Sequence, residues 1–324
     1  MTTGIVNQID FAPVGLYCSW MSQASIRVQN QSFGSSHLGA GLVAVTAWGL
    51  GGVIVKQMGM PGLSIGVYRF LLYGVALGAI LTARRSGNIL TVMKATAGGG
   101  IALAIDIAFF FSAVKLTSIA NATVIGALQP LIVAAISYRL FGERVTRKDA
   151  MLGLVALTGA IVVVVAGSGE EQNSIAGDLL AVGALFAWSS YFVYSKRSAG
   201  KITTNEFTLG TSLWAGLVNI PIALAFGQSL APPIPVDWLW LLALTFGAGF
   251  LGHSMMNWSI QKIPLWLAST MTLLVPVVAT IAAWLFLDEP VNGIQTIAMG
   301  VTLLALAGVI VGQTSPKGTL PQPE

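Results

Sequence analysis

Ten uninterrupted apolar stretches run along this chain, at 38–56, 63–83, 94–113, 119–140, 149–167, 176–195, 205–226, 236–258, 265–287 and 292–312, with short polar segments between them. Each is close to the ~20 residues that a helix, rising 1.5 Å per residue, needs to cross a bilayer. The apolar positions are continuous and do not alternate with a period of two, so the pattern predicts helices and not barrel strands. Loops this short make neighbouring helices antiparallel.

The pattern also repeats. Trp48 to Lys56 read WGLGGVIVK and Trp188 to Lys196 read WSSYFVYSK, with Trp and Lys at identical spacing. Gln129 to Glu143 (QPLIVAAISYRLFGE) match Val275 to Glu289 (VPVVATIAAWLFLDE), with Pro near the start and Glu at the end of each. Five spans per copy is an odd number, so the second copy crosses the membrane upside down relative to the first. The predicted fold is an all-α integral membrane protein of ten transmembrane helices in two inverted five-helix repeats. Repeats of this kind occur in secondary transporters, with the substrate site between the copies. The boundaries expected are a polar N-terminal tail over 1–36, a first repeat over 37–170, a second over 171–313, and a Pro-rich, disordered C-terminal tail over 314–324. Residues 11–21 are too short to span and follow Asp10, not a basic segment, so they do not read as a signal peptide. Met21 competes with Met1 as the start of the protein.

Composition agrees with a lipid-facing surface. The 324 residues are 55% hydrophobic and 9% charged, with a mean hydropathy of +0.80, against about 25% charged in soluble domains. A net charge of +4, carried by dispersed basic residues, is not a nucleic-acid footprint. One cysteine, Cys18, and two histidines, His37 and His253, leave no material for a disulfide or a metal cluster, and no cofactor motif is present. Gly98–Gly99–Gly100 lacks the Lys-Ser/Thr of a phosphate loop.

Lys and Arg set the expected direction. With the N-terminus inside, Arg84, Arg85, Lys94, Arg139, Arg144, Arg147, Lys148, Lys196, Arg197, Lys201, Lys262 and Lys317 are cytoplasmic, and the outer loops keep only Lys56 and Lys115. Glu170, Glu171, Asp178, Asp237, Asp288 and Glu289 fall outside. That asymmetry predicts both termini in the cytoplasm of a multi-pass protein of the bacterial inner membrane.

The segment Ala113 to Val164 (AVKLTSIANATVIGALQPLIVAAISYRLFGERVTRKDAMLGLVALTGAIVVV) carries a Lys–x–Thr–Ser entry, a helix with a central Pro, a Gly-Glu pair at its end, and a following helix with Gly near its middle. In these features it resembles the EamA-type transporters of the drug/metabolite transporter superfamily. The second copy, Ser259 to Val311, departs from them: Gln261 replaces Lys115, Pro264 replaces Ser118, and Asp288–Glu289 replaces the Gly-Glu pair. Tyr68 to Phe70 (YRF) also resemble that family's second helix. The resemblance covers about 38–312 and implies a carrier working by alternating access. It further implies a cavity built largely by helices 3, 4, 8 and 9, with 1, 2, 6 and 7 around it and 5 and 10 peripheral.

Candidate substrate-binding residues are Trp48, Phe110, Gln129, Trp188, Tyr191, His253 and Asn257. Trp48 and Trp188 lie near mid-depth, away from the interfacial aromatic belts. Tyr191 and Ser195 follow Trp188 at helical spacing, and His253 and Asn257 share a face at i and i+4. Polar groups inside a span face protein or water, so these faces suit either a cavity or a helix–helix contact. Pro130 and Pro276 each remove a helical hydrogen bond, which either frees a carbonyl for a ligand or only shapes packing. Glu143 and Glu289, at helix ends, are expected to cap or pair locally.

Arg69 and Asp106 are the ion-coupling candidates and are expected to pair, because consecutive helices joined by a short loop should be adjacent. Two readings of the pair stand: a permanent structural contact, or a carboxylate that takes up a proton when Arg69 moves away. The function expected is a secondary transporter exporting small organic molecules (amino acids, metabolites or drug-like compounds), with the lipid bilayer and protons as its other partners. A metabolite exchanger of the same fold is the alternative. A membrane-embedded enzyme is a further one, disfavoured because no catalytic constellation is present.

Overall fold

The computed structural model describes residues 34–84, 88–168 and 174–314. The N-terminal tail up to 33, the C-terminal tail from 315, and Cys18, Arg85, Glu170, Glu171 and Lys317 lie outside those residues. Ten helices are long and apolar enough to cross a membrane: α1 (Ser35–Lys56), α2 (Gly62–Ala83), α3 (Ile89–Leu116), α4 (Ile119–Phe141), α5 (Arg147–Gly167), α6 (Ile175–Ser198), α7 (Thr204–Ala225), α8 (Pro235–Ile260), α9 (Leu265–Leu287) and α10 (Gly293–Thr314). No strand occurs among the described residues. The protein is an all-α, multi-pass membrane protein.

Side chains that would aggregate a soluble protein stand exposed around the bundle, among them Val75, Met151, Leu154, Ile297 and Leu304. Lipid is the solvent that tolerates them. Several helix starts are capped from their own sequence. Asn88, Ser118, Thr146, Ser174 and Thr203 accept from backbone N–H groups of the first turns of α3, α4, α5, α6 and α7, and Thr203 forms a capping box with Glu206.

Three helices are irregular, and the sequence explains two of them. α4 is interrupted at Leu128, just before Pro130, and α9 at Thr272–Leu273, just before Pro276. A proline has no N–H to donate and its ring clashes with the carbonyl four residues back, which breaks these two helices within that turn, whereas α7 runs on through Pro221. α8 instead widens into a π-helix over Thr245–Ser254, a stretch without proline; π segments are rare and frequent at functional sites.

α1 packs on α8 and α9, α3 on α6 and α7, and α2 on α7. α5 and α10 pair with each other at the edge. Helices α2 and α3, consecutive in sequence, touch only lightly, because α7 lies against both. Antiparallel packing gives the bundle two ends. One carries Lys56 with Glu289, the other Lys196 with Glu143. Contacts never mix the two: Thr117 with Asp178 and Asn292 with Ala166 lie at the Lys56 end, and Thr204 with Gln261 and Gln313 with Asp149 at the Lys196 end.

Candidate functional site

A cavity of about 310 Å³ lies inside the bundle, walled by α1, α2, α3, α4, α6, α8 and α9. Helices α5, α7 and α10 contribute nothing to it. Its wall on α3, α4 and α6 comes from the halves of those helices nearer the Lys56 end: Leu103 to Phe110, Ala122 to Gln129, and Ala181 to Trp188.

The wall is mostly apolar and aromatic. Trp48 and Trp188, the two tryptophans at matching positions of the sequence repeat, meet edge to face at 5.3 Å between centroids. His253 sits among Trp48, Trp188 and Phe70, 5.3–6.1 Å from each ring. Trp48 reaches this depth because α8 is glycine at 252: a Cβ there would run into the indole. The indole N–H donates to the Ala248 carbonyl at 3.2 Å, inside the π segment. A widened helix leaves carbonyls loosely held, and Trp48 takes one of them.

Polar groups in this wall are left without partners. Arg69 donates Nη2–H to Nε2 of His253 at 3.3 Å and lies over the Phe70 ring at 4.3 Å. Guanidinium has donors only, so His253 Nε2 must accept and its proton resides on Nδ1. That Nδ1, the Nε of Arg69 and the Nε2 of Gln129 are all buried with no hydrogen-bond partner. As the amide is oriented, Gln129 Oε1 faces Thr272 Oγ1 at 3.3 Å across the two helix breaks. The one Thr272 hydroxyl proton goes to the Ser269 carbonyl at 2.6 Å, so turning the amide over lets Nε2 donate to Thr272. Asp106 lines the same cavity within electrostatic reach of Arg69.

The expected ion pair between Arg69 and Asp106 is not made: the two salt bridges among the described residues are Lys56–Glu289 and Lys196–Glu143. α2 and α3 do meet, Gly66 of α2 against Ile107 of α3, but α3 continues to Leu116, beyond the expected end at 113. Asp106 therefore lies about 15 Å from its helix end and Arg69 about 10 Å from the start of α2, at 1.5 Å per residue. Glu143 and Glu289 do pair, each with a lysine of the other half of the chain rather than locally.

Of the candidate residues, the structure brings Trp48, Phe110, Gln129, Trp188, His253, Arg69 and Asp106 into one wall. Tyr191 and Asn257 are not in it. They lie deeper, fully buried, in a network joining α6, α7 and α8. Asn257 Nδ2 donates to the Tyr191 hydroxyl at 2.8 Å and to Thr208 Oγ1 at 3.0 Å, and its Oδ1 accepts from Ser195 at 2.9 Å. The mixed face of α6 thus divides, with Trp188 toward the cavity and Tyr191 and Ser195 toward the packing. Thr272 was missed as a polar wall residue; its pairing with Gln129 depends on the α4 and α9 breaks meeting, which no local pattern signals. Among the described residues no group of His, Cys, Asp and Glu is arranged to hold a metal ion.

Against known proteins, the EamA-like transporter family matches the chain twice, over residues 36–165 and 175–311. A probable amino-acid metabolite efflux pump of Salmonella typhimurium is 28% identical over 284 residues, covering 83% of this chain and 92% of that protein. An aromatic amino acid exporter, YddG, of Ancylobacter novellus is 32% identical over 158 residues, 47% of this chain and 52% of that protein. A solved crystal structure superposes with a TM-score of 0.74 at 25% identity, covering 86% of this chain and 98% of the other.

Proposed function

This chain belongs to the EamA-like transporter family, and we propose that it exports amino acids with apolar or aromatic side chains across the bacterial inner membrane. The observation that carries the substrate class is the unpaired state of opposite charges in one small cavity. Arg69 and Asp106 share the wall without a salt bridge, and two buried N–H donors, on Arg69 and His253, have no acceptor. Burying such groups unpaired is costly, and inside a membrane more so. A zwitterion repairs the deficit once Arg69 turns toward it: its carboxylate then meets the guanidinium and its ammonium meets Asp106. The indoles of Trp48 and Trp188 and the ring of Phe110 then cover the side chain. A cavity of about 310 Å³ suits a ligand of that size.

Transport follows an alternating-access cycle between two inverted repeats, bounded as the sequence repeat places them. The double family match supports this, as do contacts that come in swapped pairs, α1 with α8 and α3 with α6. The Lys196 end, rich in Lys and Arg, is cytoplasmic, with both termini on that side. A metabolite exchanger fits the same fold but does not account for two opposite charges left without a salt bridge, and no catalytic constellation supports an enzyme.

The missing salt bridge also favours a role for Asp106 in coupling. A carboxylate that holds the substrate ammonium or a proton, but not both, makes the two compete, and that competition exchanges outgoing substrate for incoming protons.

Proteoliposomes loaded with labelled amino acids test the whole reading. Apolar and aromatic amino acids should leave unchanged in chemistry, and the same compounds lacking the α-amino or the carboxyl group should not. Equal export of deaminated analogues rejects the zwitterion reading. Asp106→Asn should lose acceleration by an imposed pH gradient, and the weakened substrate-for-substrate exchange that remains should no longer depend on pH; retained acceleration removes the coupling role. For direction, Lys115→Cys in a Cys18-free background should react with an impermeant reagent on intact cells, and Lys201→Cys only after permeabilisation.

A further inference from the structure

The two lysines and two glutamates that end the repeated segments form salt bridges across the halves, Lys56 with Glu289 and Lys196 with Glu143. Each joins a lysine of one half to the glutamate of the other. Both glutamates follow a residue in the left-handed region, Gly142 at φ +65° and Asp288 at φ +54°, so the same turn delivers each carboxylate. By position in the repeat, the two pairs are one device written twice, once at each end of the bundle.

Their surroundings are not equal. The Lys196 and Glu143 side chains are 17% and 7% exposed, those of Lys56 and Glu289 58% and 49%. At the buried end, Lys196 also donates to the Ile263 carbonyl, and Glu143 accepts from Ser137 and from the Leu265 backbone N–H at the start of α9. That last bond ties the tip of α4 to the tip of α9, and Leu265 is fully buried. At the other end Ile119, the repeat equivalent of Leu265 at the start of α4, is 69% exposed, and Ser118 caps α4 without help from Glu289. The cavity lies on that looser side. Breaking a buried, multiply bonded pair is strongly unfavourable, whereas an exposed pair contributes little.

We infer that Lys196–Glu143 and Lys56–Glu289 are the two latches of the transport cycle, with the Lys196 latch shut and the Lys56 latch loose in this structure. Positions matched by an inverted repeat exchange environments when the carrier turns over, so the second state has Lys56 and Glu289 buried against the start of α4 and Lys196 and Glu143 released. The residues act by setting which side the cavity opens to, not by touching substrate. The inference rests on the alternating-access part of the proposed function.

The test reads accessibility, which needs neither a substrate nor its identity. A cysteine replaces Val275 in the cavity wall, Cys18 is removed, and an impermeant thiol reagent is applied to intact cells and to inside-out vesicles. The parent should label from the Lys56 side. Glu143→Gln keeps an acceptor for Leu265 but discards the charge. It should raise labelling from the Lys196 side by at least about tenfold, a shift well inside what loss of one partner of a buried pair supports. Lys196→Met should do the same, and Lys196→Arg should restore the parent pattern. Glu289→Gln should not move labelling toward the Lys196 side. Glu143→Gln and Lys196→Met proteins that label like the parent overturn the inference, as does failure of both to accumulate while Lys196→Arg does, since the pair is then scaffold. Export without the labelling shift rejects the latch alone, and the shift without amino-acid export rejects the substrate class alone.

Discussion

The cavity wall and the Asn257 network meet on α6 and α8, a turn or two apart, and both place polar groups inside an apolar bundle. They differ in satisfaction. Around Asn257, the side-chain amide meets Tyr191, Ser195 and Thr208 on two neighbouring helices. Around Arg69, buried donors on Arg69 and His253 meet nothing, and the carboxylate of Asp106 has no salt bridge. A fully connected network inside a membrane holds helices together, while a deficient one is stable only if something else completes it. Both regions mix aromatic, amide and hydroxyl groups, and only the cavity wall adds the charges of Arg69 and Asp106. The balance of donors and acceptors separates the two.

The comparison breaks most visibly at Asn257. Asn257→Ala takes a partner from Tyr191, Ser195 and Thr208 at once, of which Thr208 keeps the Thr204 carbonyl. Each group left unpaired costs about 1–3 kcal/mol, so the protein should be largely lost from the membrane, as read by immunoblot against the parent. Normal abundance with impaired export would instead move Asn257 into the binding site. Next in size, Asp106→Asn and Arg69→Gln should each lower export about thirtyfold to a hundredfold, the effect of losing a charge-assisted contact of about 2–3 kcal/mol. Their abundance should stay near that of the parent, because no salt bridge is broken. A fall in protein level like that of Asn257→Ala would place the two charges with the scaffold. Gln129→Ala removes one neutral donor and should cost export about threefold to tenfold, with KM rising more than the maximal rate falls. The smallest effect belongs to Tyr191→Phe, which deletes one hydroxyl from a network that retains Ser195 and Thr208. The melting temperature in detergent should drop by about 2–4 °C, with the substrate ranking unchanged; an altered ranking would mean that the network reaches the ligand.

Much of the molecule was legible before any coordinates. All ten spans, their approximate ends and the breaks before Pro130 and Pro276 follow from continuous apolar runs and from the chemistry of proline, both of which act over a few residues. The two tryptophans, His253, Gln129 and Phe110 were also recognisable as candidates, because a large or polar side chain at mid-depth needs a reason. The partners of these residues were not legible. Nothing near Arg69 in sequence says that α3 runs on to Leu116, or that His253 and Phe70 take up the guanidinium. Likewise Tyr191 and Trp188 share a helix face, yet one enters the packing and the other the cavity.

Hydropathy, charge asymmetry and the repeat therefore determined class, span number and the identity of the charged and aromatic residues in the membrane, since these depend on local composition and on a solvent that changes only with depth. Only the tertiary structure decided which polar groups are satisfied, that Lys196–Glu143 is buried while Lys56–Glu289 is not, and where the cavity lies. The physical reason is that helix packing in lipid lacks the strong, pattern-driven burial signal that operates in water. Close packing at particular small residues, such as Gly252 against Trp48, sets neighbours there, and neighbours set the hydrogen-bond balance.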